Sequence, residues 1–155
     1  MSTATYATGS VLGTEQDTSA IFNVIEGMAK AHYNKDAQAI AASYVPDATI
    51  FNLAPPLVHQ GVDLAEKQAW LDSWEGPVEI EPRDFQITVA GDTAFGYGYM
   101  RMAGKKKGVE HRISFWMRET VCLERGADGW RIVHEHTSVP FYMDDSLRPA
   151  FDLQP

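Results

Sequence analysis

The stretch WMRETVCLERGADGWRIVHEHTSVP, residues 116–140, alternates side-chain character with a period of two on both sides of RGADG. Alternation flanking a glycine-rich turn is the pattern of a β-hairpin, whose successive side chains point to opposite faces of a sheet. If the turn sets Glu124 opposite Trp130, then Arg118 faces His136, Thr120 faces His134 and Trp116 faces Ser138. The even-numbered face then carries two histidines, an arginine and two hydroxyls. The odd-numbered face carries Ile113, Phe115, Met117, Glu119, Val121 and Leu123, with Val133, Glu135, Thr137 and Val139 on the facing strand. The odd face is the more apolar, so it is expected to form the inner wall.

Two further period-two runs precede the hairpin, VEIEPRDFQITVA at 78–90 and DTAFGYGYMRMA at 92–103. GD and GKKKG supply the intervening turns, so the second half of the chain reads as a four-strand meander. Placing Arg101 opposite His111 across a GKKKG tip puts Phe95, Tyr97 and Tyr99 on the odd face and Gly96 and Gly98 on the even one. A slip of one residue would exchange the faces of the slipped strand.

The first half has helical spacing instead. Ile21, Ile25, Met28 and His32 form one stripe of a helix that starts near Asp17 or Thr18 and runs to about Tyr33. DAQAIAASY gives a short second helix that stops before Pro46. DATIFNL reads as a strand ended by Pro55 and Pro56. VDLAEKQAWLDSW is a third helix with Leu64, Trp70, Leu71 and Trp74 as core candidates. Helices segregated from antiparallel strands define an α+β domain with one curled, mainly antiparallel sheet. The organisation read from these elements is an N-terminal arm at 1–16, a domain at 17–141 and a C-terminal tail at 142–155.

At 155 residues the chain suits one domain with a sizeable core. A formal charge of −8 argues against nucleic acid or an anionic membrane as partner, since phosphates need a basic face. One cysteine, Cys122, provides neither a disulfide framework nor a cysteine-rich zinc site. The N-terminus lacks the charged and apolar regions of a signal peptide, and no apolar run is long enough to span a bilayer. A cytoplasmic location is the expectation.

The order helix, helix, strand, helix, meander, with DATIFNLAPPLVHQG before the third helix and WMRET…DGWRIVHEHTSVP at the close, resembles the SnoaL-like proteins. These belong to the nuclear transport factor 2-like superfamily, which includes ketosteroid isomerases and polyketide cyclases. The resemblance covers roughly residues 17–141. It implies a cone-shaped barrel, a bent sheet whose concave face and three N-terminal-half helices enclose a pocket. It also implies a homodimer through the outer face of the sheet. In the related association domain of calcium/calmodulin-dependent kinase II a similar His-x-His-x-Ser strand has its intervening positions in the cavity, which agrees with the face assignment above.

Glu119 and Glu135 are the candidate catalytic groups. They would meet on the apolar side, where desolvation and like charge raise a carboxyl pKa toward the range useful for acid–base work. The competing reading places them at an open rim, or neutralised by Arg83 or Arg101. Asn52, Tyr97, Tyr99, Phe115 and Thr137 are the candidate substrate-binding residues. His134 and His136 share a face, as a two-histidine metal site requires. Their neighbours Arg118 and Thr120 disfavour a cation, so they read as structural or interface residues. His32 reads as a satisfied core histidine and His59 as a loop residue at the cavity mouth. The resemblance places Asn52 where ketosteroid isomerases have their carboxylate base, and Met28 where they have a tyrosine donor. That departure speaks against a steroid-isomerase mechanism. The expected function is binding of a small hydrophobic molecule with cofactor-independent proton transfer (isomerisation, cyclisation or hydration) and no metal. The alternative is a non-catalytic ligand-binding or oligomerisation module.

Overall fold

The computed structural model describes residues 14–155 together with the backbone of 6–8. The expected arm at 1–16 lies mostly outside the described residues. A short strand, β1 (Tyr6–Thr8), pairs in parallel with Phe85–Ile87. Three helices follow in the first half: α1 (Glu15–Tyr33), α2 (Ala37–Ala42) and α3 (Leu64–Asp72). Strands β2 (Tyr44–Phe51) and β3 (His59–Gln60) lie between α2 and α3. The meander is β4 (Trp74–Ala90), β5 (Thr93–Lys106), β6 (Ile113–Gly126) and β7 (Gly129–Ser138). Among the described residues the sheet order is β1-β4-β5-β6-β7-β2-β3, with β2 parallel to β7. The result is the expected α+β cone with a mainly antiparallel curled sheet. Among the described residues no helix is long and apolar enough to cross a membrane.

Each helix starts on a side-chain cap. Thr14 Oγ1 accepts the Asp17 amide at 3.1 Å while Asp17 reaches back to Thr14, so the cap lies upstream of the expected Asp17 or Thr18. Asp36 and Asp63 cap α2 and α3. Asp17 also binds Arg125 Nη1 at 2.6 Å, which ties the start of α1 to the end of β6. Ile21, Ile25 and Met28 carry the buried stripe of α1 onto the core, where Ile40, Leu71, Trp74, Phe85 and Leu123 join them. Leu64, expected in the core, is instead exposed at the first turn of α3.

The β6–β7 hairpin closes tighter than expected, with Gly126 opposite Gly129 and Arg125 opposite Trp130. An irregularity at Val133 then adds one more residue, so that Arg118 faces Ser138 and Thr120 faces His136. The two offsets sum to an even number. The odd face of β6 and the Glu135 side of β7 therefore remain interior.

The β5–β6 register departs from expectation by an odd number, which inverts β5. Arg101 pairs with Trp116 rather than His111, and Gly104 with Ile113. The reason lies in β4. Lys105 and Lys106 are strand residues paired with Glu75 and Trp74, not a turn tip. Lys105 Nζ stands 3.0 Å from Glu75 Oε2, and Lys106 Nζ lies over the Trp74 ring. The inverted strand turns Gly96 and Gly98 inward, where Phe85 packs against them. A Cβ at either position would come within 2.7 Å of that ring.

Candidate functional site

The concave face and the helices surround a cavity of about 420 Å³. Most of its wall is apolar, as in typical small-molecule sites, and its few polar groups come from separate elements. Glu119 of β6 and Glu135 of β7 both line it, with only 4% and 8% of their surfaces exposed. They are diagonal rather than directly opposed, since Glu119 pairs with Thr137 and Glu135 with Val121. Burial, then the charge of Glu135 and a side-chain hydrogen bond to it, push the Glu119 carboxyl well above the ordinary range. The Tyr44 hydroxyl, from the start of β2, donates a second bond to Glu135 Oε2 at 2.6 Å. The expected neutralising arginines are engaged elsewhere: Arg101 with Glu81 at 2.7 Å, Arg83 with Asp84.

His32 lines the same cavity from α1. Its Nδ1 lies 2.8 Å from the Met28 carbonyl, which can only accept, so Nδ1 carries the hydrogen and Nε2 the lone pair. Desolvation depresses its pKa to about 4, so the ring is neutral at physiological pH. Lys67 of α3 lines the cavity next to Trp70, its Nζ 5.3 Å from that ring centroid. Burial lowers its pKa, with Glu135 and then Glu66 opposing the shift.

Of the residues singled out from sequence, Glu119, Glu135, Asn52, Phe115 and Thr137 are together around the cavity. Asn52 is exposed just past β2, and Thr137 donates to the Phe51 carbonyl at 3.4 Å. Tyr97 and Tyr99 are not there. They lie on the convex face, 47% and 39% exposed, because the β5 register is inverted. Phe95 goes with them. His59 is among the cavity residues. His134 and His136 are on the convex side, edge-on to Phe51 at 5.0 and 5.5 Å, and His134 Nδ1 bonds the Thr49 carbonyl at 2.7 Å. Arg118 Nε donates to Ser138 Oγ at 3.1 Å in the same ladder.

Lys67 and Tyr44 escaped the sequence reading. A signal for Lys67 existed: it precedes Trp70 and Leu71 by three and four residues, which puts a cation on the inward face of α3. Tyr44 had none, since its bond to Glu135 spans 91 residues of chain.

Residues 21–142 match the SnoaL-like domain family, and the chain belongs to it. No curated protein sequence matches the chain. Among solved structures, a nuclear transport factor 2-like protein of unknown function from Pseudomonas putida is 28% identical, with a TM-score of 0.78 over 92% of this chain and 100% of that one. A superfamily member from Salmonella enterica is 16% identical, with a TM-score of 0.72 over 86% and 97%. A ketosteroid isomerase-like protein from Erwinia carotovora is 20% identical, with a TM-score of 0.66 over 81% and 97%. The last two share the fold with this chain.

Proposed function

We propose that this protein is a cofactor-independent enzyme that moves a proton within a small, largely apolar molecule held in the cavity. The observation that carries the reading is the Glu119–Glu135 pair, two buried carboxyls lining one apolar cavity. Two neighbouring carboxyls can supply the one acid and the one base that proton transfer needs. Glu135 is the base and Glu119 the acid. Tyr44 orients Glu135, and Phe115 and Met117 supply apolar wall beside them. Asn52 and Thr137 contribute polar contacts toward the mouth. Isomerisation and elimination of water both need this pairing of a proton acceptor with a proton donor.

The test is solvent deuterium exchange into a panel of cyclic ketones, followed by NMR. Wild type should catalyse incorporation next to the carbonyl. Glu135→Gln should lower the rate about 10²–10⁴-fold with little change in affinity, as expected for loss of a general base. Binding without exchange in the wild type would instead establish a non-catalytic ligand-binding domain. Asn52 and Met28, which stand where the isomerases carry an acid and a tyrosine, favour that second reading.

A further inference from the structure

Val139 packs on the core as β7 ends, and the chain from Pro140 onward folds back on itself. The Ala150 amide donates to the Pro140 carbonyl at 2.8 Å and the Tyr142 amide to the Arg148 carbonyl at 2.9 Å, with Phe141 bridged to Pro149. Asp144 closes the tip by accepting the Ser146 amide at 2.9 Å, and the Tyr142 hydroxyl donates to Asp152 Oδ2 at 2.7 Å. Among the described residues, every hydrogen bond of the segment 140–153 stays within it, and no ion pair joins it to the domain. It meets the domain through apolar groups. Ala150 is buried, and the Phe151 ring lies 4.5 Å from the Phe115 ring of β6, both residues lining the cavity. Phe151 keeps 47% of its surface exposed, so its ring stands between the cavity and solvent.

We propose that residues 140–152 form a lid that turns as a unit about Val139–Pro140, seating Phe151 on Phe115 when closed and uncovering the cavity when open. A lid serves a cavity that catalyses and one that only binds, so it goes beyond the proton-transfer reading and does not depend on it. The internal hydrogen bonds give the segment a shape of its own. The bond from Tyr142 to Asp152 makes Phe151, the neighbour of Asp152, move with the rest. Opening breaks no hydrogen bond and no ion pair between segment and domain. It costs the aromatic contact and the burial of Ala150, and both favour the closed state. A segment held by so few buried groups belongs to the low-stability end of a fold, from which moving lids are drawn. Entry and release of a cavity ligand then wait on the opening of the lid.

Thiol labelling with N-ethylmaleimide, a neutral reagent, measures the opening without any ligand or turnover. In a Cys122→Ser background, Met117→Cys places a single thiol in the cavity wall, and Val89→Cys places one in the core away from the cavity. Phe151→Ala should raise the Met117→Cys labelling rate about tenfold or more, because the aromatic contact that holds the lid is lost. Pro140→Gly leaves Phe151 and Phe115 in place and gives the open lid more freedom, so it should raise the same rate about two- to fivefold. Met102→Cys provides a second cavity thiol whose rate should follow the same pattern. Neither lid substitution should change labelling at Val89→Cys, which needs the whole domain to open. An unchanged rate at the cavity thiols in Phe151→Ala would overturn the lid. Acceleration in Phe151→Ala without acceleration in Pro140→Gly would mean only a hole left by the missing ring. Equal acceleration at Val89→Cys would mean general loosening of the domain. Either of those two results would overturn the lid as well.

Discussion

The Tyr44 hydroxyl and Glu135 Oε2 lie 2.6 Å apart inside the cavity, joining the parallel strands β2 and β7 through their side chains. Burial, and then the Glu135 charge, raise the Tyr44 pKa well above 10.0, so the phenol stays a donor throughout the working range. Tyr44→Phe removes that donor and leaves a buried carboxyl under-bonded. The expected cost is about 1.5–3 kcal/mol, the range for a hydrogen bond to a charged group. Urea unfolding of wild type, Tyr44→Phe, Glu135→Gln and the double variant measures the coupling. Additive losses would mean the bond contributes nothing.

Glu119 and His32 make opposite contributions to the pH dependence of stability. The folded-state pKa of Glu119 lies above its ordinary 4.5, so the native state binds the extra proton. Its contribution is present below pH 4.5 and is lost as pH rises toward the folded value. His32 is depressed from 6.5 to about 4, so the unfolded state binds the extra proton. Its contribution is present above pH 6.5 and is lost as pH falls toward 4. Glu119→Gln should therefore raise the urea midpoint at pH 8 relative to pH 5, and His32→Asn should flatten the acid limb. A Glu119→Gln effect equal at both pH values would remove the buried proton from consideration.

Gly96 and Gly98 should tolerate alanine differently. At Gly96 the closest obstacle is the edge of the Phe85 ring, 2.7 Å from the added Cβ. At Gly98 it includes the Phe85 Cα at 2.8 Å, which no rotamer can move. Both variants should cost about 1–3 kcal/mol, as overpacking does. Adding Phe85→Leu should recover part of the loss for Gly96→Ala and little for Gly98→Ala, read as melting temperature. Equal recovery in both would contradict the inward placement of the two glycines.

The convex face carries Phe51, Phe95, Tyr97 and Tyr99, all exposed, beside half-buried Trp116 with Arg83 5.6 Å from its ring. Exposed aromatic residues gathered on one face of a sheet suit an interaction site, and we propose a second copy of this chain as its occupant. Tyr99→Glu and Trp116→Glu should each shift sedimentation from dimer to monomer. A wild type that sediments as a monomer at all concentrations tested would rule this out.

The sequence by itself determined the three helices, the four meander strands and the inner face of β6. Helical stripes and period-two strands are local patterns, and each is legible in a window shorter than the element it specifies. Glu119 and Glu135 reached the inner face by the same logic, because the tighter hairpin and the Val133 irregularity offset the register by an even number. Tertiary structure alone decided β5. Its register depends on where Lys105 and Lys106 lie against Glu75 and Trp74 of β4, residues some thirty positions away. That pairing sent Tyr97 and Tyr99 to the outer face and made room for Phe85 within. The cavity's polar lining was decided in the same way. Tyr44, His32 and Lys67 come from β2, α1 and α3, and only the curl of one sheet against three helices brings them round the two glutamates. A period-two pattern carries the parity of a strand but not its offset from a neighbour, and here an odd offset exchanged the faces.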